Sequence, residues 1–133
     1  MERERVEVRQ FIERRPRARS PYGERFMMLS QRGVDELSAR LADKTITMVG
    51  MRTLLAMLRH LDYENRVDVS QKSLAGELGI TQSDLSRACR LLMECGFVER
   101  LANRRGWYRV SPRLCWKGSV KNLQAALDER ASA

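Results

Sequence analysis

Gln82, Ser83, Ser86, Arg87 and Arg90 occupy positions that share one face of a helix with 3.6 residues per turn. A glutamine carboxamide can pair with the edge of adenine, and an arginine guanidinium with O6 and N7 of guanine. Arg90 here, and Lys72 eighteen residues upstream, can take phosphate oxygens instead. These residue types in this pattern suit the reading of base-pair edges in a duplex, provided a helix presents them outward. Catalytic alternatives have less to work with. Tyr22, Tyr63 and Tyr108 could serve as nucleophiles of a nickase, but such chemistry also needs a metal site, and His60 is the only histidine. Cys89, Cys95 and Cys115 lack CxxC spacing and are odd in number, so neither a zinc set nor a disulfide framework is expected. No GxxxxGK[ST] phosphate loop occurs. The expectation is therefore a binding protein without enzymatic activity or cofactor.

The segment Gln71–Leu92 supplies what such a reading helix needs. Two short helices that cross steeply with almost no loop require a small residue at their contact, which Ala75 provides. They require a residue tolerant of positive φ at the turn, which is Gly79. Leu74, Leu78, Ile80, Leu85 and Ala88 are apolar where the pair must pack. Thr81 can start the second helix, its hydroxyl accepting from a backbone N–H near Asp84, and Asp84 suits the positive helix end. The spacing is that of a helix-turn-helix, with a second helix from Gln82 to Cys95 and Gly96 as its stop.

Further elements surround this pair. Phe97–Leu101 and Trp107–Val110 read as strands flanking the hairpin tip Ala102–Gly106, so Arg104 and Arg105 sit where a wing would meet a DNA backbone or minor groove. Trp107 and Tyr108 alternate faces, and one of them is expected to pack beneath the second helix. Upstream, Phe26–Leu29 reads as a strand and Gly33–Leu41 as a helix. Met48, Met51, Leu54, Leu55, Leu58 and Leu61 form the clearest helical stripe, capped by Thr45 or Thr47 and read as core. Asp62–Asn65 reads as a polar break, Arg66–Ser70 as a short edge strand, and Val120, Leu123, Ala126 and Leu127 as a last short helix. Cys89 and Cys95 fall in an apolar helical pattern and read as buried small hydrophobes.

The fold class expected is mainly α with a small β-hairpin wing, an α+β winged helix-turn-helix. Residues 1–24 form a basic arm, 25–119 the DNA-binding domain, and 120–133 a C-terminal helix and tail. In the arm, Arg17 and Arg19 lie in an arginine- and proline-rich stretch that resembles an AT-hook loosely, with Ala18 where that motif has glycine. The arm is expected to add affinity, with groove insertion as the sharper option.

The 133 residues suit one hydrophobic core. Twenty-five Lys and Arg against 17 Asp and Glu leave a formal charge of +8, which points to a polyanionic partner. Aromatics at 6% offer few stacking platforms for single-stranded RNA. No apolar run is long enough to span a bilayer, and no secretory signal is apparent, so a cytoplasmic protein without membrane contact is expected.

From about Arg25 to Ser119 the chain resembles the RepL-type plasmid replication and maintenance proteins. The resemblance lies in His60-Leu61-Asp62-Tyr63-Glu64-Asn65-Arg66-Val67, in the helix-turn-helix, and in Trp107–Ser119, where a strand is followed by Pro112 and then by Trp116-Lys117-Gly118. It implies a winged helix acting on double-stranded DNA in plasmid or mobile-element replication, or in control of its transcription. The host replication or transcription machinery is then a further partner. The alternatives are a promoter repressor without a replication role, and a winged helix used for protein contacts. A homodimer reading two half-sites is expected.

Overall fold

A computed structural model describes residues 21–101 and 108–132. The described chain is mainly helical with small antiparallel sheets, an α+β arrangement. In order, the elements are β1 (Met28–Leu29), α1 (Gln31–Ala42), α2 (Met48–Arg59), a 3-10 turn (Tyr63–Asn65), β2 (Arg66–Val67), α3 (Gln71–Leu78), α4 (Gln82–Glu94), β3 (Val98–Arg100), β4 (Tyr108–Val110), β5 (Cys115–Trp116) and α5 (Val120–Ser132).

The helix starts follow one local rule. Ser30, Thr47, Ser70 and Thr81 hold extended backbone, and each hydroxyl accepts from the N–H three residues on. Thr47, rather than Thr45, caps α2. Of the α2 stripe, Leu54 reaches the centre of the core, Met51 and Leu58 are partly buried against it, and Leu61 follows just beyond the helix; Met57, outside the expected stripe, is fully buried. Two members of the expected stripe do not follow. Met48 is 73% exposed and Leu55 51% exposed. They stand seven residues apart, along one edge of the stripe, so a small rotation of the helix removes both from the core. Val120 is likewise solvent-facing, while Ala126 is buried. The last helix spans 13 residues, as many as α4, and is not short. The first strand is trimmed to Met28–Leu29.

Two sheets close the fold. β1 pairs with β5, and β2, β4 and β3 form a three-stranded antiparallel sheet with β4 in the middle. The register sets Val67 opposite Tyr108 and Tyr108 opposite Arg100, with Val98 opposite Val110. These five share the inner face. Arg66, Arg109 and Glu99 share the outer one. Arg130 of α5 reaches Glu99 at 3.0 Å.

The polar break at Asp62–Asn65 turns out to contain a core residue. Asn65 is fully buried with φ +64°. Its Nδ2 donates to the carbonyls of Val110 (2.9 Å) and Cys115 (2.8 Å). Its Oδ1 accepts from Lys117 N–H at 2.9 Å. One side chain thus ties the end of β4 and both sides of β5 to the turn before β2. Asn tolerates the left-handed backbone that this aim requires.

Candidate nucleic-acid interface

The α3–α4 corner is built as its residues require. α3 ends at Gly79, which adopts left-handed φ 69°, ψ 33° and donates its N–H back into the last turn of α3. Ile80 N–H returns to Ala75 O at 3.1 Å. Thr81 Oγ1 then accepts from Asp84 N–H at 3.0 Å and opens α4. Leu74, Ala75, Leu85, Ala88, Cys89 and Leu92 are buried between the two helices and α2, with Leu78 and Ile80 partly buried at the rim. Cys89 is buried, whereas Cys95, at the end of α4, is only half-buried.

Burying that face fixes which side chains α4 turns outward. Gln82, Ser83, Arg87 and Arg90 are exposed, and Ser86 is half-buried beside them. Among the described residues, only Arg87 of these five forms a side-chain hydrogen bond or ion pair, a solvated pair with Asp84 at 3.4 Å. Lys72 is exposed in the first turn of α3, and Thr81 serves as the cap of α4. Of the expected site residues, the structure therefore brings Gln82, Ser83, Ser86, Arg87 and Arg90 onto one surface. Arg104 and Arg105, Arg17 and Arg19, and Trp107 lie outside the described residues. Residues 1–20 and 102–107 hold nine of the arginines against four glutamates, which is most of the net charge.

Beneath α4 lies a polar contact that joins three elements. Tyr108 is wholly buried. Its hydroxyl accepts from Gln71 Nε2, at the start of α3, and lies near the buried thiol of Cys89, in the middle of α4. Burial pushes the Tyr108 phenol and the Cys89 thiol above their ordinary values; the Gln71 hydrogen bond pulls the phenol partly back. Tyr108 thus packs under the second helix. The opposite end of α3 is also anchored. Glu77 accepts from His60 Nε2 (2.7 Å) and pairs with Arg59 (3.1 Å), and Arg52 donates to Leu78 O.

Arg100 is the surface arginine that the spacing of residues did not single out. It is exposed at the end of β3, with its guanidinium carbon 6.0 Å from the Tyr108 ring centroid. A signal was present: it is a charged residue in phase with Val98 on the inner face. A cleft of about 650 Å³ lies elsewhere, between Arg25–Met27, the end of α2 and Lys117. Its lining mixes charges of both signs and shares nothing with the α4 face. No helix among the described residues is long and apolar enough to cross a membrane. No three His, Cys, Asp or Glu side chains among them converge as a metal site. Compared with known proteins, the chain matches no family model, no curated protein and no solved structure.

Proposed function

We propose that this chain is a sequence-specific double-stranded DNA-binding protein of the winged helix-turn-helix class, with α4 as the helix that enters the major groove. The observation that carries the reading is the outward face of α4. Gln82, Ser83, Arg87 and Arg90 stand clear of the core on a helix whose opposite side is fully buried. An amide, hydroxyls and guanidinium groups on one rigid face are the donor and acceptor set that base edges require. The α3–α4 corner with left-handed Gly79 supports it, as does the strand order β2–β4–β3, with β3 and β4 directly after α4. Lys72 and Arg90 supply phosphate contacts, and Arg104, Arg105, Arg17 and Arg19 extend them.

The biological setting follows from the resemblance to RepL-type proteins. The chain acts at a plasmid or mobile-element origin, or at the promoter that controls it, as a homodimer, in the cytoplasm and without catalytic activity or cofactor. Repression without a replication role is the nearest alternative. Use of the winged helix for protein contacts leaves the exposed arginines of α4 without a purpose.

Selection of bound duplexes from a random pool, at about 150 mM salt, tests the proposal. A recovered palindrome with half-sites about one helical turn apart is the expected result. Recovery of no consensus would overturn sequence-specific reading. The position of the recovered site, in origin repeats or over a promoter, separates replication from repression.

A further inference from the structure

Arg100 stands where the alternation of the three-stranded sheet calls for an apolar residue. It shares the inner face with Val67, Val98, Tyr108 and Val110, all buried, yet is itself exposed and is the last residue of β3 before the hairpin tip. Among the described residues it forms no ion pair. Its contact is with the Tyr108 ring, 6.0 Å from guanidinium carbon to centroid. That ring does not move freely. Its hydroxyl accepts from Gln71 at the start of α3, and the buried thiol of Cys89 in the middle of α4 lies near it. The guanidinium therefore sits over a ring packed against α3 and α4. A guanidinium packed on an aromatic face keeps its fork of N–H donors available to an anion.

We propose that Arg100 is a further phosphate-binding residue, gripping the duplex backbone between the groove read by α4 and the hairpin; the assignment rests on the duplex-binding reading above. Lys72, exposed in the first turn of the helix that begins with Gln71, is assigned the next phosphate along. The competing role for Arg100 is an inward-pointing charge that guards the free edge of β3 against pairing with other strands. A guard needs only a charge. It does not need a buried ring hydrogen-bonded to α3 beneath it.

The test uses the full chain, its selected duplex and an unrelated duplex, with binding followed by fluorescence anisotropy over a salt series. Arg100→Gln is expected to weaken both duplexes by the same factor, on the order of tenfold. The slope of log K against log salt should fall by about 0.9, the signature of one lost phosphate contact. Arg100→Lys keeps the charge and should keep the slope, recovering most of the affinity. If Arg100→Gln binds with an unchanged slope and affinity while the unaltered chain binds DNA, the assignment is overturned. Enhanced self-association of that variant in light scattering would then identify the edge guard. If the unaltered chain binds neither duplex, the duplex-binding reading itself falls and the Arg100 assignment falls with it.

Discussion

Two regions of this molecule are held together in opposite ways. The corner from Ser70 to Cys95 is assembled from neighbours. Its caps are three residues from the N–H groups they satisfy, and its turn depends on one glycine. The knot formed by Leu61–Val67 with Tyr108–Ser119 is assembled from strangers. Asn65 bonds to groups 45, 50 and 52 residues away, and Glu64 N–H donates to Lys117 O across a similar span. The corner carries the exposed polar face and the knot carries none of it. The knot instead fixes the sheet that contains β3 and β4. A local motif can present side chains, but placing two presenting elements relative to each other takes long-range contacts.

The largest expected effect lies in the knot. Asn65→Ala removes two hydrogen bonds to buried carbonyls and one to the part-buried Lys117 N–H, each worth about 1–3 kcal/mol when left unmade in the interior, and puts Ala in a left-handed conformation that costs about 1–2 kcal/mol more. A loss above roughly 3 kcal/mol is expected in urea denaturation, a large share of the stability of a small domain. Its counterpart in the corner, Thr81→Ala, removes one cap and should cost about 1 kcal/mol. Equal losses from the two would break the contrast.

Gly33→Ala comes next, and its sign is the informative part. Gly33 lies inside α1, where alanine ordinarily stabilises by about 1 kcal/mol. Here the added Cβ would meet Arg113 O at 2.6 Å and Leu114 Cα at 2.7 Å, both backbone. A destabilisation of about 1–3 kcal/mol is expected instead, since Ser30 N–H also bonds Leu114 O at this crossing. A rise in melting temperature would show that α1 and the segment before β5 are not in close contact.

How much of this was legible in the sequence follows from the same contrast. The corner was readable residue by residue, because Gly79, Thr81, Ala75 and the apolar spacing act within one or two turns of where they stand. The knot was not. Asn65 looked like an ordinary turn residue, because nothing nearby in sequence reports that its partners are Val110, Cys115 and Lys117. The α2 stripe failed at Met48 and Leu55 for a related reason. Periodicity gives the apolar face but not the rotation at which other elements meet it. Arg100 was passed over because its significance lies in a register that pairs it with Tyr108, and register is a long-range property.

On the functional side, Arg87→Ala sharpens the comparison by touching only the corner's outer face. Its pair with Asp84 is solvated, so stability should change by no more than about 0.5 kcal/mol. Specific binding should weaken by about 1–3 kcal/mol, with one base preference relaxed in a repeated selection. An equal loss on every sequence would reassign Arg87 to phosphate.

Alkaline titration probes both regions through their thiols. Burial pushes Cys115, in the knot, from 9.0 to about 12, and raises Cys89 in the corner in the same direction. A raised folded value favours the neutral thiol in the native state. That contribution is complete below about pH 9, and it is lost as pH rises from there toward 12. Stability should be insensitive to these groups near neutrality and should fall above pH 9. Cys115→Ala should flatten that fall. An unchanged alkaline limb would mean that Cys115 is not the group being exposed.

The smallest expected effect is a gain. Gly76 lies inside α3, exposed, and an added Cβ would meet nothing within 4 Å. Gly76→Ala therefore carries the ordinary helix benefit, about 0.5–1 kcal/mol, with no clash to oppose it. Stability should rise slightly in urea denaturation. This substitution and Gly33→Ala change the same atoms in two helices of one chain, with opposite predicted signs. The difference between them isolates what the surrounding fold adds to local propensity. If α3 must flex for α4 to seat in a groove, the stiffer Gly76→Ala variant should also bind its selected duplex more weakly. Unchanged affinity would show that the corner reads DNA as a preformed, rigid unit.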